Sequence, residues 1–223
     1  MEWGPIILTF QLALVTTFIL LLLSIPIAFW LSNSKNRLKP IIETLISMPL
    51  VLPPTVLGFY LLMVLSPSSS IGHFLNETFD LQLVFSFEGL VFGSIIYSLP
   101  FMVQPIQSGL NNLPKSLTEA AYVLGKSKSQ TLFKVLIPNI KPSILTGIVL
   151  SFAHTIGEFG LVLMIGGNIP DKTRVASIAI YDEVEALNYG LAHKYSLFLF
   201  ATTFIILLVV YIINGKSIER PWK

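Results

Sequence analysis

The chain has 223 residues, of which 53% are hydrophobic and 12% charged, with a net charge of +2 and a mean hydropathy of +0.77. So apolar a composition excludes an ordinary soluble domain of this length and places the chain among membrane proteins. With no cysteine there is no disulfide and no thiolate metal site.

Residues 6–31 are apolar and long enough to span a bilayer, which takes about 20 residues. The preceding Met1-Glu2-Trp3-Gly4-Pro5 lacks the positive start of a cleaved signal peptide. Lys35, Arg37 and Lys39 follow. A second span, residues 45–65, carries Pro49, Pro53, Pro54 and Gly58, so its first half is expected to be bent or broken. Broken helices are tolerated at membrane depth where they face protein or a cavity. Residues 66–86 read as a polar loop, with an incidental glycosylation-like triplet at Asn76-Glu77-Thr78. A third span covers 89–108, with Pro100, Gln104, Pro105 and Gln107. A fourth covers 143–165 and holds His154 and Glu158. Residues 166–194 read as a second polar loop, and 195–214 as the fifth span. The expected fold is therefore all-α, one polytopic membrane domain over residues 1–223 with about five transmembrane helices and a basic loop at about 109–142.

Charge orients the spans. Lys35, Arg37, Lys39, Lys115, Lys126, Lys128, Lys134, Lys141, Lys216, Arg220 and Lys223 are eleven of the fourteen basic residues, and all fall on one side of a five-span map. The positive-inside rule makes that side the cytoplasm, with the C-terminus inside and the N-terminus outside.

Residues 115–142 form a polar, basic island between apolar runs. Ser116-Leu117-Thr118-Glu119 has the form of a capping box. Leu117, Ala120, Ala121 and Leu124 recur at helical spacing on one face. Gly125 suits a left-handed C-cap, and Ser127 with Gln130 repeats the capping pattern ahead of a second helix. The island thus reads as helix, glycine turn, helix, with an apolar face suited to a groove on another protein. Gly125-Lys126-Ser127 looks like the end of a phosphate-binding loop, but the glycine required at position 120 is Ala120 and no strand precedes it.

Glu119-Ala120-Ala121, Gly125 and Val135-x-Ile137-Pro138, at this spacing, resemble the EAA motif of ATP-binding-cassette importer permeases. The departures are aliphatic swaps in the final Ile-x-Leu-Pro. Pro49-Leu50-Val51-Leu52-Pro53-Pro54, Gly157-Glu158-Phe159-Gly160 and Gly166-Gly167-Asn168-Ile169-Pro170 are similar to the molybdate permease branch, with sulfate and tungstate permeases as neighbours. The resemblance covers almost the whole chain. It implies a bacterial or archaeal plasma (inner) membrane location, a second copy of the chain, two cytoplasmic ATPase subunits, an external solute-binding protein, an oxyanion cargo and membrane lipid around the spans. It implies no cofactor and no nucleic acid. Glu119, Ala120, Ala121, Gly125 and Pro138 would couple to the ATPase.

A doubly charged oxyanion cannot cross hydrocarbon bare. Ser98, Gln104, Gln107, Ser108, Ser151 and Thr155 are the donors expected on its path or in the packing around it, with Pro53, Pro54, Gly157, Glu158 and Gly160 shaping the spans. Glu158 is the sole acid inside a span and so a functional candidate. A carboxylate on the path would repel an anion, so Glu158 is expected to face away from it or to be offset by helix N-termini. His154 lies four residues earlier, which on a helix puts both on one face. A proton relay or metal site could use such a pair, giving a proton-driven transporter or an intramembrane enzyme as alternatives. However, no HExxH pattern is present and zinc needs three or four ligands. The expectation is a permease with no catalytic or metal residues of its own.

Overall fold

The structure, a computed structural model, describes residues 2–218 and is built of helices. In chain order they are α1 (Gly4–Asn33), α2 (Lys39–Ser47), a 3-10 turn (Met48–Leu50), α3 (Pro54–Leu65), α4 (Ser70–Phe79) and α5 (Phe87–Asn111). Then come α6 (Lys115–Val123), α7 (Lys128–Thr131), a π turn (Leu132–Leu136), α8 (Ile137–Asn139), α9 (Lys141–Ile156), α10 (Gly160–Gly166), α11 (Ala176–Glu185) and α12 (Tyr189–Ile218). Three helices are long and apolar enough to cross a membrane. Two bent pairs, Lys39–Leu50 with Pro54–Leu65 and Lys128–Asn139 with Lys141–Ile156, bring the number to as many as five.

The second span breaks where expected. Pro53 and Pro54 are consecutive residues without an N–H, so the helical ladder cannot run through them. The chain turns by 110° between Leu50 and Pro54. The fourth span departs from the expected continuous 143–165. It begins at a 78° corner after α8, and it breaks again at residues 157–159 before α10 resumes. Both polar loops also depart from expectation, because each folds a ten-residue helix: α4 in the first, capped by Ser69, and α11 in the second.

The bundle is organised on α5. It runs antiparallel to α9, and the pairing changes character along its length. Near one end, Cβ atoms at Gly109 and Gly147 would crowd Ser143 and Met102, so small residues let the backbones close. Toward the other end the pairing becomes polar, through Ser98 with Thr155 and Ser94 with Glu158. One core cluster gathers Leu31 of α1, Ile46 of α2, Ile106 and Leu110 of α5, and Leu132, Leu136 and Ile140 of the basic island. Another joins Ile6 of α1, Ala176 and Ala179 of α11, and Tyr195 of α12. The basic segments at 35–39 and 115–141 therefore share one end of the bundle, and α11 lies at the opposite end. Arg220 and Lys223, the tail of the charge pattern, lie outside the described residues. The spanning part of α12 is only 6% buried, an apolar helix largely open to its surroundings.

Candidate functional site

Both interrupted spans meet. α3 and α10, the short helices beyond the two breaks, pack directly on each other. A Cβ on Gly58 would lie 2.8 Å from Cβ of Met164 and 3.1 Å from Cα of Leu161. One on Gly160 would lie 3.0 Å from Cγ2 of Thr55 and 3.3 Å from Pro54. Leu161 and Ile165 of α10 in turn press on Gly93 of α5. Thus Pro53 and Pro54, which start α3, and Gly160, which starts α10, are brought to one place. Gly157 is not: its Cβ would touch only carbonyls of its own helix, at 3.8 Å. Its place is at the end of α9, not at a close approach between helices.

The break at 157–159 is held by polar contacts from two sides. Glu158 is 4% exposed. Its Oε2 accepts a hydrogen bond from the Ser94 hydroxyl at 2.8 Å, while Oε1 is buried without a partner among the described residues. Its backbone carbonyl, released by the end of α9, accepts from the Ser177 hydroxyl of α11 at 2.6 Å. That bond satisfies a backbone carbonyl in the break, which the helical ladder leaves without a donor. One turn back, Ser98 pairs with Nδ1 of His154 at 2.9 Å and with Thr155 at 3.1 Å. The His154 ring stacks on Phe101, centroids 4.0 Å apart. His154 and Glu158 do not share a helix face, since α9 ends at Ile156. Each instead engages its own serine on α5.

Ser151 and Thr155 are 0% and 2% exposed, enclosed between α5 and α9, and Thr155 donates to the Ser151 carbonyl. Gln104 lies on the exposed surface, donating to Ser47 at 3.1 Å just before the first break. Beside it, Gln107 donates to Glu43 at 2.6 Å. These two glutamines tie α5 to the approach to the bend. Sequence reasoning does not single out Ser94 or Ser177. Ser94 carries a signal, a hydroxyl four residues before Ser98 and so on the same face of one helix; Ser177 carries none.

The basic island differs from expectation at its start. Helix α6 begins at Lys115 after Pro114 and has no side-chain cap. Ser116 and Glu119 therefore form no capping box, because Pro114 already sets the entry and Ser116 lies inside the helix. Glu119 is free on the surface. The predicted apolar face also splits. Ala121 is 4% exposed, whereas Ala120 is exposed and Leu124 stands 76% in the open beside Val123 at 88%. The glycine turn forms as expected. Gly125 has φ +72; its N–H bonds the Tyr122 carbonyl, and that of Lys126 bonds Ala121, the paired closure of a helix end. Ser127 and Gln130 make the reciprocal capping box. Pro138, with no N–H to give the preceding turn, follows the π-helical stretch 132–136.

This geometry defines a multi-pass helical membrane protein with two broken spans packed together and a solvent-facing helix–turn–helix at one end. The family model described as the binding-protein-dependent transport system inner membrane component matches residues 21–217, and the chain belongs to that family. It is 45% identical over 211 residues to the molybdenum transport system permease protein of Azotobacter vinelandii, covering 94% of this chain and 93% of the relative. It is 34% identical over 183 residues to a probable sulfate transport system permease protein of Chlorella vulgaris, covering 82% and 68%. Its backbone also superposes on a chain of a bacterial ABC transporter for the acidic polysaccharide alginate, with a TM-score of 0.75. There the identity is 16%, over 97% of this chain and 80% of that one, a likeness of fold.

Proposed function

We propose that the chain is the membrane permease subunit of an ATP-binding-cassette importer whose cargo is molybdate. The observation that carries the choice is the 45% identity, over nearly the full length of both chains, to a permease named for molybdenum. In this reading the paired breaks of α3 and α10 form the movable part of the pathway, with Pro53, Pro54 and Gly160 at its hinge. The buried Ser94–Glu158 and Ser98–Thr155 pairs hold the wall behind it. The Glu158 carboxyl is buried, with one oxygen held by Ser94 of α5, which fits a carboxylate kept off the route of an anion. Glu119, Ala120, Gly125 and Pro138 lie on the exposed island that would meet the ATPase, with Ala121 buried beneath. The functional assembly is two copies of this chain, two ATPase subunits and an external binding protein. The chain itself hydrolyses no ATP, consistent with Ala120 in place of the required glycine.

Deleting the gene is expected to abolish high-affinity molybdate uptake and leave sulfate uptake normal; the reverse pattern assigns the chain to sulfate. Tungstate is the remaining competitor, and its uptake is measured beside the other two. A proton-driven carrier using His154 and Glu158 as a relay fits less well, since the two residues engage different serines and not each other.

The orientation belongs to the same reading. The island at 115–141 and the segment at 35–39 face the cytoplasm of a plasma (inner) membrane, and α4 and α11 face outward. A reporter active only in the cytoplasm, fused after Lys223, is expected to be active. Activity of a periplasmic reporter at that site, with the cytoplasmic one silent, would invert the map.

A further inference from the structure

A cavity of about 430 Å3 lies between the last turn of α1 and the basic island, lined by Phe29, Trp30, Asn33, Ser34, Tyr122 and Lys128. Nothing in the transport reading uses it. Trp30 and Tyr122 are 41% and 45% exposed. Among the described residues, the Trp30 indole N–H, the Tyr122 hydroxyl and the Lys128 ammonium have no hydrogen-bond or ion-pair partner within the chain. The side-chain N–H of Asn33, by contrast, donates to the Phe29 carbonyl at 2.9 Å. No carboxylate lines the cavity. Lys35 and Arg37 follow α1 directly, and Lys126 and Lys134 lie on the island, so both segments that carry the lining residues are basic.

We propose that this cavity binds the headgroup of an anionic phospholipid, with the phosphodiester at Lys128, Tyr122 and Trp30 and the glycerol backbone against Phe29. Three chemical features select that ligand. The Lys128 ammonium and the Trp30 indole offer only donors and the Tyr122 hydroxyl can add a third, which suits an acceptor-only phosphate. Tryptophan and tyrosine are the side chains that settle at headgroup depth, where one edge is apolar and the other wet. Basic pockets between transmembrane elements on the cytoplasmic side attract anionic lipid. The location gives the binding a consequence: a lipid seated there bridges the first span to α6 and α7, and so restrains the island from the membrane side. The proposal rests on the membrane reading and not on the choice of cargo.

The test is native mass spectrometry of the full-length chain, in its transporter complex, released from membranes and exchanged into vesicles of phosphatidylglycerol or phosphatidylcholine. Phosphatidylglycerol is expected to stay bound and phosphatidylcholine to wash off. Lys128→Gln is expected to weaken retention about fivefold, the effect of one basic group at an anionic surface. Lys134→Gln, on the same island but outside the cavity, keeps it. Millimolar inorganic phosphate is expected not to displace the lipid. Displacement would make the cavity a free-phosphate site and overturn the lipid assignment. Equal retention of both lipids, or equal loss in the two lysine variants, would overturn the site itself. Retention is read without transport, so loss of uptake for another cause leaves the result intact.

Discussion

Replacing Gly58 by leucine is expected to abolish transport while leaving the chain in the membrane. At this position α3 and α10 come so close that even a Cβ would sit 2.8 Å from the Met164 Cβ and 3.1 Å from the Leu161 Cα. The second of these is backbone and cannot rotate away, so the helices must separate. Overpacking of this kind costs roughly 1–3 kcal/mol. That is enough to shift the balance between two arrangements of a gate and too little to unfold a bundle that keeps a second core cluster, around Leu31, Ile106 and Leu136, away from this contact. Gly160→Ala is the graded comparison. Its new methyl would press hardest on Cγ2 of Thr55, at 3.0 Å, which can turn aside, and less on the ring of Pro54, at 3.3 Å. It should retain most of its uptake. Labelled molybdate uptake, normalised to the amount of protein in the membrane, separates the variants. Normal uptake by Gly58→Leu would mean that the packing of α3 on α10 plays no part in transport.

The contrast between the breaks shows what a sequence makes visible. Pro53-Pro54 announces its break, because proline lacks the donor that every helical turn requires. The break at 157–159 has no such mark. Gly157 and Gly160 are compatible with a continuous small-residue helix face, and only the tertiary partners tip the balance: Ser94 on the carboxylate and Ser177 on the freed carbonyl. Both partners are remote in sequence, 64 and 19 residues from Glu158, and no local pattern points to them. Helix α11 is a similar case, a helix of mixed composition stabilised mainly where Ala176, Ile178 and Ala179 are buried under α1, α10 and α12. The span count, the end on which the basic segments gather and the glycine turn are legible because each follows from local chemistry. The capping box expected at Ser116 does not form because Pro114 sets the helix start two residues earlier than the hydroxyl suggests.

Charge reversal at Glu119 is expected to detach the ATPase without disturbing this chain. Had Glu119 capped α6, its replacement would have cost the helix on the order of 1 kcal/mol, and any effect on assembly would have been ambiguous. It caps nothing and lies on the surface, so Glu119→Lys changes only what a partner meets. Leu124→Asp probes the neighbouring apolar surface, because Leu124 at 76% and Val123 at 88% exposure form a contiguous apolar patch of the kind that a partner covers. Gly125→Val acts differently. Space is open around Gly125, so the penalty comes from φ +72, a conformation that costs a branched residue roughly 1–2 kcal/mol. The turn would then reopen and α6 would swing relative to α7. The second half of the island should stay in place, because Leu132, Leu136 and Ile140 are locked into the bundle core. All three variants are therefore expected in the membrane at normal levels. Glu119→Lys and Leu124→Asp should lower ATPase recovery in a pull-down at least tenfold, since removing or reversing a group at the centre of an interface costs more than about 1.4 kcal/mol. Gly125→Val should lower uptake more than binding, because the residues that meet the partner remain but their geometry does not. If Glu119→Lys and Leu124→Asp bound the ATPase and transported as well as the unmodified chain, the exposed tip of α6 would not be the coupling surface.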